Sequence, residues 1–214
     1  MPGHNSPNLS VVQVLLIINI GMFLLELYTG GGRLIEVLAL WPVDFTASVV
    51  FDQTRPQFHI WQLLSYSFLH GNVMHLLLNM YALWLFGSRL ENHWGLRNFT
   101  LYYFVCVFGA ALVQLVVAGQ SAEQGEVYPT IGASGGVFGL LLAFGMTFPN
   151  ERLMLIFPPV VLRAKWFVLI YGVIELWFGI TGTAAGVAHF AHLGGMLSGF
   201  ILLWYWYRHP PGHR

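Results

Sequence analysis

The sequence predicts an all-α, polytopic membrane protein of six transmembrane helices with a long first outer loop, and three observations carry that prediction. Hydrophobic residues fill 57% of the 214 positions and charged residues only 8%, against about 25% charged in soluble domains. Mean hydropathy is +0.66. Six stretches are also long and apolar enough to cross a bilayer, which takes about 20 residues with a range of roughly 17 to 25.

Those stretches are 10–28, 73–90, 98–118, 132–148, 164–180 and 185–207. The first follows a short tail without the basic start of a signal peptide, and no small-residue cleavage site succeeds it, so it reads as a retained helix. In the outer loop after it, segment 33–40 mixes Leu34, Ile35, Val37, Leu38 and Leu40 with Arg33 and Glu36, a pattern suited to an amphipathic helix lying in the interface. The second stretch carries His75 and Asn79 at i and i+4, on one helical face. The third holds Cys106, the lone cysteine, which excludes an internal disulfide.

The fourth opens on Gly132-Ala133-Ser134-Gly135. The fifth carries Glu175 at mid-length, where an acid costs roughly 2.5 to 3.5 kcal/mol, so it is expected to be paired, protonated or facing a polar cavity. A protonated or hydrogen-bonded interhelical contact is the expectation there, ahead of a proton relay. The sixth carries His189 and His192 and ends on Trp204-Tyr205-Trp206-Tyr207 ahead of Arg208, an aromatic anchor followed by a cation. With tails 1–9 and 208–214 and no internal repeat, the chain reads as one membrane domain, 1–214.

Basic residues set the orientation, because Lys and Arg beside membrane helices stay on the cytoplasmic side. With the N-terminus inside, the inner segments hold Arg89, Arg97, Arg152, Arg163, Lys165, Arg208 and Arg214, and the outer ones only Arg33 and Arg55. Both termini are therefore expected in the cytoplasm. The second, fourth and sixth helices then run inward, with Asn79 and His192 each about 10 Å below their helix starts at 1.5 Å per residue. Ser134 heads a helix of about 25 Å, short enough to begin below the membrane surface after a loop that dips inward. Such a loop survives only beside protein or a water-filled cavity. Net charge is zero at pH 7, which gives no reason to expect nucleic-acid binding.

Serine becomes a competent nucleophile when a base takes its proton, and histidine suits that role. Ser134 and His192 fill these roles if their helices are neighbours. Gly135, Gly136 and Gly139 on the fourth helix, with Gly194, Gly195 and Gly199 on the sixth, are small residues that let helix backbones approach closely. For an oxyanion, the backbone N–H of Ser134 lies at a helix N-terminus, and His75 and Asn79 could add side-chain donors.

Together, Gly132-Ala133-Ser134-Gly135, the run from Ala191-His192-Leu193-Gly194-Gly195 to Gly199, and His75 followed by Asn79 resemble the GxSG, AHxxGxxxG and HxxxN signatures of the rhomboid intramembrane serine proteases. The motifs occur in the family's order on the corresponding helices. The resemblance implies a Ser–His dyad without a third acidic member: Ser134 as nucleophile, His192 as general base, and His75, Asn79 and the Ser134 amide at the oxyanion. It places Phe138 where the family carries an aromatic ring on the catalytic imidazole. It implies cleavage of other membrane proteins in or beside their transmembrane segments, with the lipid bilayer as the setting and neither metal nor organic cofactor. Glu91 matches a position that ties the inner loop to a helix end. Trp61-Gln62 departs from the family's Trp-Arg pair, which puts the anchoring of the first loop in question. The small core points to a bacterial inner membrane.

The four histidines His70, His75, His189 and His192 also raise a metal site, but no HExxH-type helix or carboxylate accompanies them in sequence. His70 reads as a loop or helix-start residue, His189 as interfacial, and Glu26 as able to reach the interface. Two other functions compete. One is a non-catalytic relative that binds transmembrane segments, against which the chain retains both serine and histidine. The other is a transporter lined by Glu175 and the histidines, against which no paired repeat appears.

Overall fold

The computed structural model describes residues 9–43, 56–154, 159–182 and 188–211. Arg55, Arg214 and Ala185, which entered the expectations above, lie outside them. Nine α-helices are ordered along the described chain: α1 Val11–Thr29, α2 Gly32–Leu38, α3 Gln62–Ser65, α4 Val73–Ala82, α5 Ser88–Trp94, α6 Leu96–Glu123, α7 Ser134–Thr147, α8 Ala164–Thr181 and α9 His189–Arg208. A two-stranded antiparallel hairpin, β1 Arg152–Met154 with β2 Val161–Arg163, joins α7 to α8 and pairs Arg152 with Arg163. The fold is therefore mostly helical, and this short hairpin is its one sheet among the described residues.

Helix α1 starts where Ser10 and Gln13 form a capping box and stops at Gly30, whose φ of 77° suits glycine. Its first turn is also held from a distance. The Glu91 carboxylate, on α5, accepts from the Val11 and Val12 amides at 2.8 and 2.9 Å, putting a negative charge on the positive end of the helix dipole. The tie expected of Glu91 is thus a cap on α1. Residues α4 to α5 run almost continuously, but Leu83–Gly87 form a π-helical turn between them. Short apolar spacing gives no signal for that turn.

Helix α6 forms the hub against which α7 and α9 pack, and Tyr102, Tyr103, Cys106, Val107 and Ala110 on it are fully buried. It outruns the expected 98–118 at its far end because nothing breaks it until Gly125, at φ 91°. Helix α9 begins at His189, so His192 is its fourth residue and lies about 5 Å along it, at 1.5 Å per residue, which shortens the expected 10 Å.

Among the described residues, three helices are long and apolar enough to cross a membrane: α1, α6 and α8. The remaining predicted spans depart from that pattern for physical reasons. One is broken by the π turn, α7 has only 14 residues, and α9 carries two histidines, Ser198 and a polar aromatic end. Apolar side chains such as Leu24, Leu78, Leu169, Val173 and Leu197 are exposed on the outside of the bundle. That surface suits lipid, which has no water to satisfy polar groups.

Glycine sets how closely the central helices pack. A Cβ on Gly195 would overlap the Gly135 carbonyl oxygen, one on Gly139 would overlap Cys106, and one on Gly136 would come within 2.7 Å of Tyr103. The small-residue spacing in the sequence therefore corresponds to direct backbone approach between α7 and α9. Tyr102 of α6 ties α7 to the hub by donating its hydroxyl to the Gly139 carbonyl at 2.9 Å.

The first loop is anchored by the residue that departs from the family pattern. Gln62 is fully buried. Its Oε1 accepts from the Trp41 and His59 amides at 3.3 and 3.2 Å, and its Nε2 donates to the Val37 and Gln57 carbonyls at 3.3 and 3.2 Å. An amide has both donors and acceptors and can serve N–H and C=O groups at once, which a guanidinium, having only donors, cannot.

Candidate active site

Helices α4, α7, α8 and α9 each contribute to one polar cluster. Ser134 is the first residue of α7, in the turn whose N–H groups have no intrahelical partner. The chain reaches it through Gly132, at φ 122°, whose amide donates to the Tyr66 carbonyl at 2.9 Å. A side chain at 132 is excluded both by that conformation and by His75, whose ring atoms Cε1 and Nε2 would lie 2.7 and 2.8 Å from a Cβ. His75 therefore packs directly against the entry to the serine turn.

The structure brings Ser134 Oγ to 2.8 Å from His192 Nε2. His192 is 7% exposed, and the Phe138 ring lies parallel to its imidazole with centroids 4.2 Å apart and planes 6° apart. Phe138 is one helical turn beyond Ser134, so α7 supplies both the hydroxyl and the wall behind the imidazole. Asn79 is buried on α4 and donates its Nδ2 to the His75 carbonyl at 2.9 Å. Gly135 and Gly195 form the close helix crossing described above, and a Cβ on Gly199 would overlap the Tyr102 hydroxyl.

Glu175 meets its expectation, whereas His189 and Glu26 are placed differently from theirs. Glu175 of α8 is buried and its Oε2 lies 2.8 Å from His192 Nδ1 and 2.7 Å from His189 Nδ1. The hydrogen-bonded interhelical contact expected of Glu175 is present, but with both histidines of α9. His189 is accordingly buried rather than interfacial, because it faces α8. Glu26 also turns inward: it is 8% exposed and accepts from the His70 amide at 3.3 Å.

No carboxylate accompanies the histidines in sequence, yet Glu175, His189 and His192 present ligand-type atoms within 4.8 Å of one another. Their 2.7 and 2.8 Å separations are hydrogen-bond lengths. Tetrahedral zinc, with bonds of roughly 2.0 to 2.1 Å, spaces its ligand atoms about 3.4 Å apart. The cluster is therefore arranged around shared protons. The sequence contains Glu175, but its partners lie 14 and 17 residues on, across an interhelical loop, at no helical spacing.

His70 sits in the loop 69–72, is 3% exposed, and meets His75 edge to face at 5.1 Å. Burial, with a smaller push from His75, moves its imidazole down from the usual 6.5 to about 4. A histidine held neutral in this way makes the unfolded state the stronger proton binder between those values. Its contribution to stability is intact above about 6.5 and is lost as pH falls toward about 4. In detergent micelles the thermal midpoint should therefore drop between pH 7 and pH 5, and His70→Gln should make that drop smaller; an equally steep drop in the variant would refute the assignment.

Residues 57–209, more than half of the chain, match the Rhomboid domain family model. The chain belongs to the rhomboid family. It is an integral membrane protein with the family's polytopic helical fold. The chain is 29% identical to Rhomboid protein 1, mitochondrial, of Saccharomyces cerevisiae, over 92% of its own length and 53% of that relative. It is 36% identical to RHOMBOID-like protein 4 of Arabidopsis thaliana, over 66% of its length and 33% of the relative. To Presenilin-associated rhomboid-like protein A, mitochondrial, of Danio rerio it is 30% identical, over 65% and 35%. The chain thus spans between a third and about half of the length of these rhomboid relatives.

Proposed function

We propose that this rhomboid is an intramembrane serine endopeptidase that cleaves other membrane proteins within or beside a transmembrane segment. The observation that carries the reading is the 2.8 Å approach of Ser134 Oγ to His192 Nε2 across two largely apolar, glycine-rich helices. Many rhomboids are serine proteases, which supports the same assignment.

In the reaction Ser134 Oγ attacks the scissile carbonyl while its proton passes to His192 Nε2. The carbonyl oxygen acquires the negative charge and is met by the Ser134 amide at the start of α7, with His75 and Asn79 supplying side-chain donors. His192 then protonates the leaving amine as the C–N bond breaks. Water then gives a proton to His192 as its oxygen attacks the acyl carbon, and the Oγ–C bond breaks as Ser134 Oγ takes that proton back from Nε2, releasing the acid. Phe138 keeps the imidazole in plane throughout. None of these steps needs a metal or an organic cofactor.

The same reading assigns one membrane domain to 1–214, six crossings, both termini to the cytoplasm and the site to the outer half of a bacterial inner membrane. Its substrates are proteins carrying a transmembrane segment. The Glu175 carboxylate is engaged by His189 and His192 beside Ser134, which supports the protease over the transporter alternative.

A fluorophosphonate probe offers the direct test. Purified protein in detergent micelles should form a covalent adduct on the peptide containing Ser134, and His192→Ala should abolish it. Failure to form any Ser134 adduct would sink the proposal.

A further inference from the structure

Glu175 occupies the middle of α8, is 7% exposed, and directs one oxygen at two rings. That oxygen, Oε2, lies 2.8 Å from His192 Nδ1, while the opposite ring nitrogen of His192, Nε2, lies 2.8 Å from Ser134 Oγ. A neutral imidazole carries one proton, on one nitrogen or the other. With the proton on Nε2, a bare Nδ1 lone pair would face the carboxylate, and the ring could not accept the serine proton. With the proton on Nδ1, the ring donates to Glu175 and presents a lone pair to the hydroxyl. An ionised Glu175 therefore selects the form of His192 that can act as a base.

His189 makes that ionised state tenable. It lies on the same helix as His192, one turn earlier, and its Nδ1 is 2.7 Å from the same carboxylate oxygen. Two N–H donors on one oxygen offset the cost of an ionised acid at mid-helix. The Nε2 of His189 is buried without a hydrogen-bond partner among the described residues, which fits a neutral ring whose only proton is on Nδ1. Phe138, stacked on the His192 ring, holds the ring in the plane that contains both the Glu175 and Ser134 contacts.

We propose that Glu175 is a positioning residue for the Ser134–His192 pair, with His189 as the second donor that fixes the carboxylate. The inference rests on the protease reading above and adds an acid to the dyad that the family resemblance implies. During attack the serine proton moves to Nε2, the Oγ–C bond forms and the carbonyl π pair moves to oxygen. The imidazolium keeps its Nδ1–H toward Glu175, and no proton transfers to the carboxylate. The proton on Nε2 leaves with the amine. Glu175 thus acts through His192 and never touches substrate.

Glu175→Gln is the informative variant, because an amide can donate to Nδ1 as readily as it accepts and so no longer dictates the tautomer. In the full chain, with a membrane-anchored model substrate, kcat should fall about 100-fold or more while KM stays within about twofold; loss of the acid's tautomer control costs about 10⁴-fold in the Ser-His-Asp template. A Gln variant within twofold of wild-type kcat would overturn the proposal, as would kcat and KM worsening together. Histidine-selective ¹⁵N NMR supplies a reading independent of turnover and of how well the variant folds. The wild-type His192 signal, identified by its loss in His192→Asn, should show Nδ1 protonated and Nε2 bare. A wild-type His192 protonated on Nε2 would overturn the proposal. If wild type and Ser134→Ala cleave alike, the protease reading fails, while the ¹⁵N spectrum still decides the role of Glu175.

Discussion

Ser134→Ala should reduce cleavage of a membrane-anchored substrate to the background rate, and His192→Ala should do the same. The reason is that hydroxyl and imidazole act as one unit across their 2.8 Å contact: without the ring the hydroxyl keeps its proton, and without the hydroxyl the ring has nothing to activate. In a soluble serine protease, removing either group alone costs about 10⁶-fold in kcat, nearly as much as removing the whole catalytic set. A loss of about 10⁴-fold or more is therefore expected, and the double variant should be no worse than either single one. Both variants should still bind substrate, since Ser134 and His192 are engaged with each other at the heads of their helices rather than along an exposed face. Reconstituted protein, a fluorescent transmembrane substrate and gel readout suffice. Equal cleavage by wild type and Ser134→Ala would end the protease reading.

The second large effect concerns packing. Gly195→Ala should dissociate α7 from α9, because the added methyl would overlap the Gly135 backbone carbonyl, an atom that no rotamer change can move. Overpacking in a well-filled interior costs roughly 1 to 3 kcal/mol and more where the obstacle is rigid. Because the same crossing sets the Ser134–His192 distance, activity should vanish together with thermal stability in micelles. Gly21→Ala, in α1, provides the control: nothing lies within 4 Å of a Cβ there, so the exchange should stabilise the helix by about 0.5 to 1 kcal/mol. A Gly195→Ala protein with wild-type melting and turnover would contradict the packing account.

Much of the site was legible because its residues sit in short local patterns. Ser134, His192, His75 and Asn79 each lie in a few-residue motif, and helical spacing puts them at helix heads or on a single face. Glycines at 135, 136, 139, 194, 195 and 199 announced close packing for the same reason. Glu175 did not read out in this way. Its partners come from another helix, and only the docking of α8 on α9 brings them together. Glu26 is similar: its position along α1 suggests the interface, whereas its side chain turns inward and accepts from the His70 amide. Gln62 reads as a loss when residue identity alone is considered. Its four hydrogen bonds depend on where residues 37, 41, 57 and 59 converge, which one sequence does not reveal. The hairpin between α7 and α8 is too short for alternation to register.

The π turn at Leu83–Gly87 has a consequence for the angular bearing of everything beyond it. An α-helix advances about 100° per residue, and a π turn accommodates one additional residue, so the second half of the helix is rotated by about that angle against the first. Upstream, His75 faces the serine turn at Gly132; downstream, Glu91 faces the amides of Val11 and Val12. One continuous rod thereby addresses two neighbours in different directions, and the turn acts as the phase offset between a chemical end and a structural end. Removing one residue from 83–87 would bring the two halves into common phase and swing Glu91 away from the helix it caps, leaving the His75 end where it is.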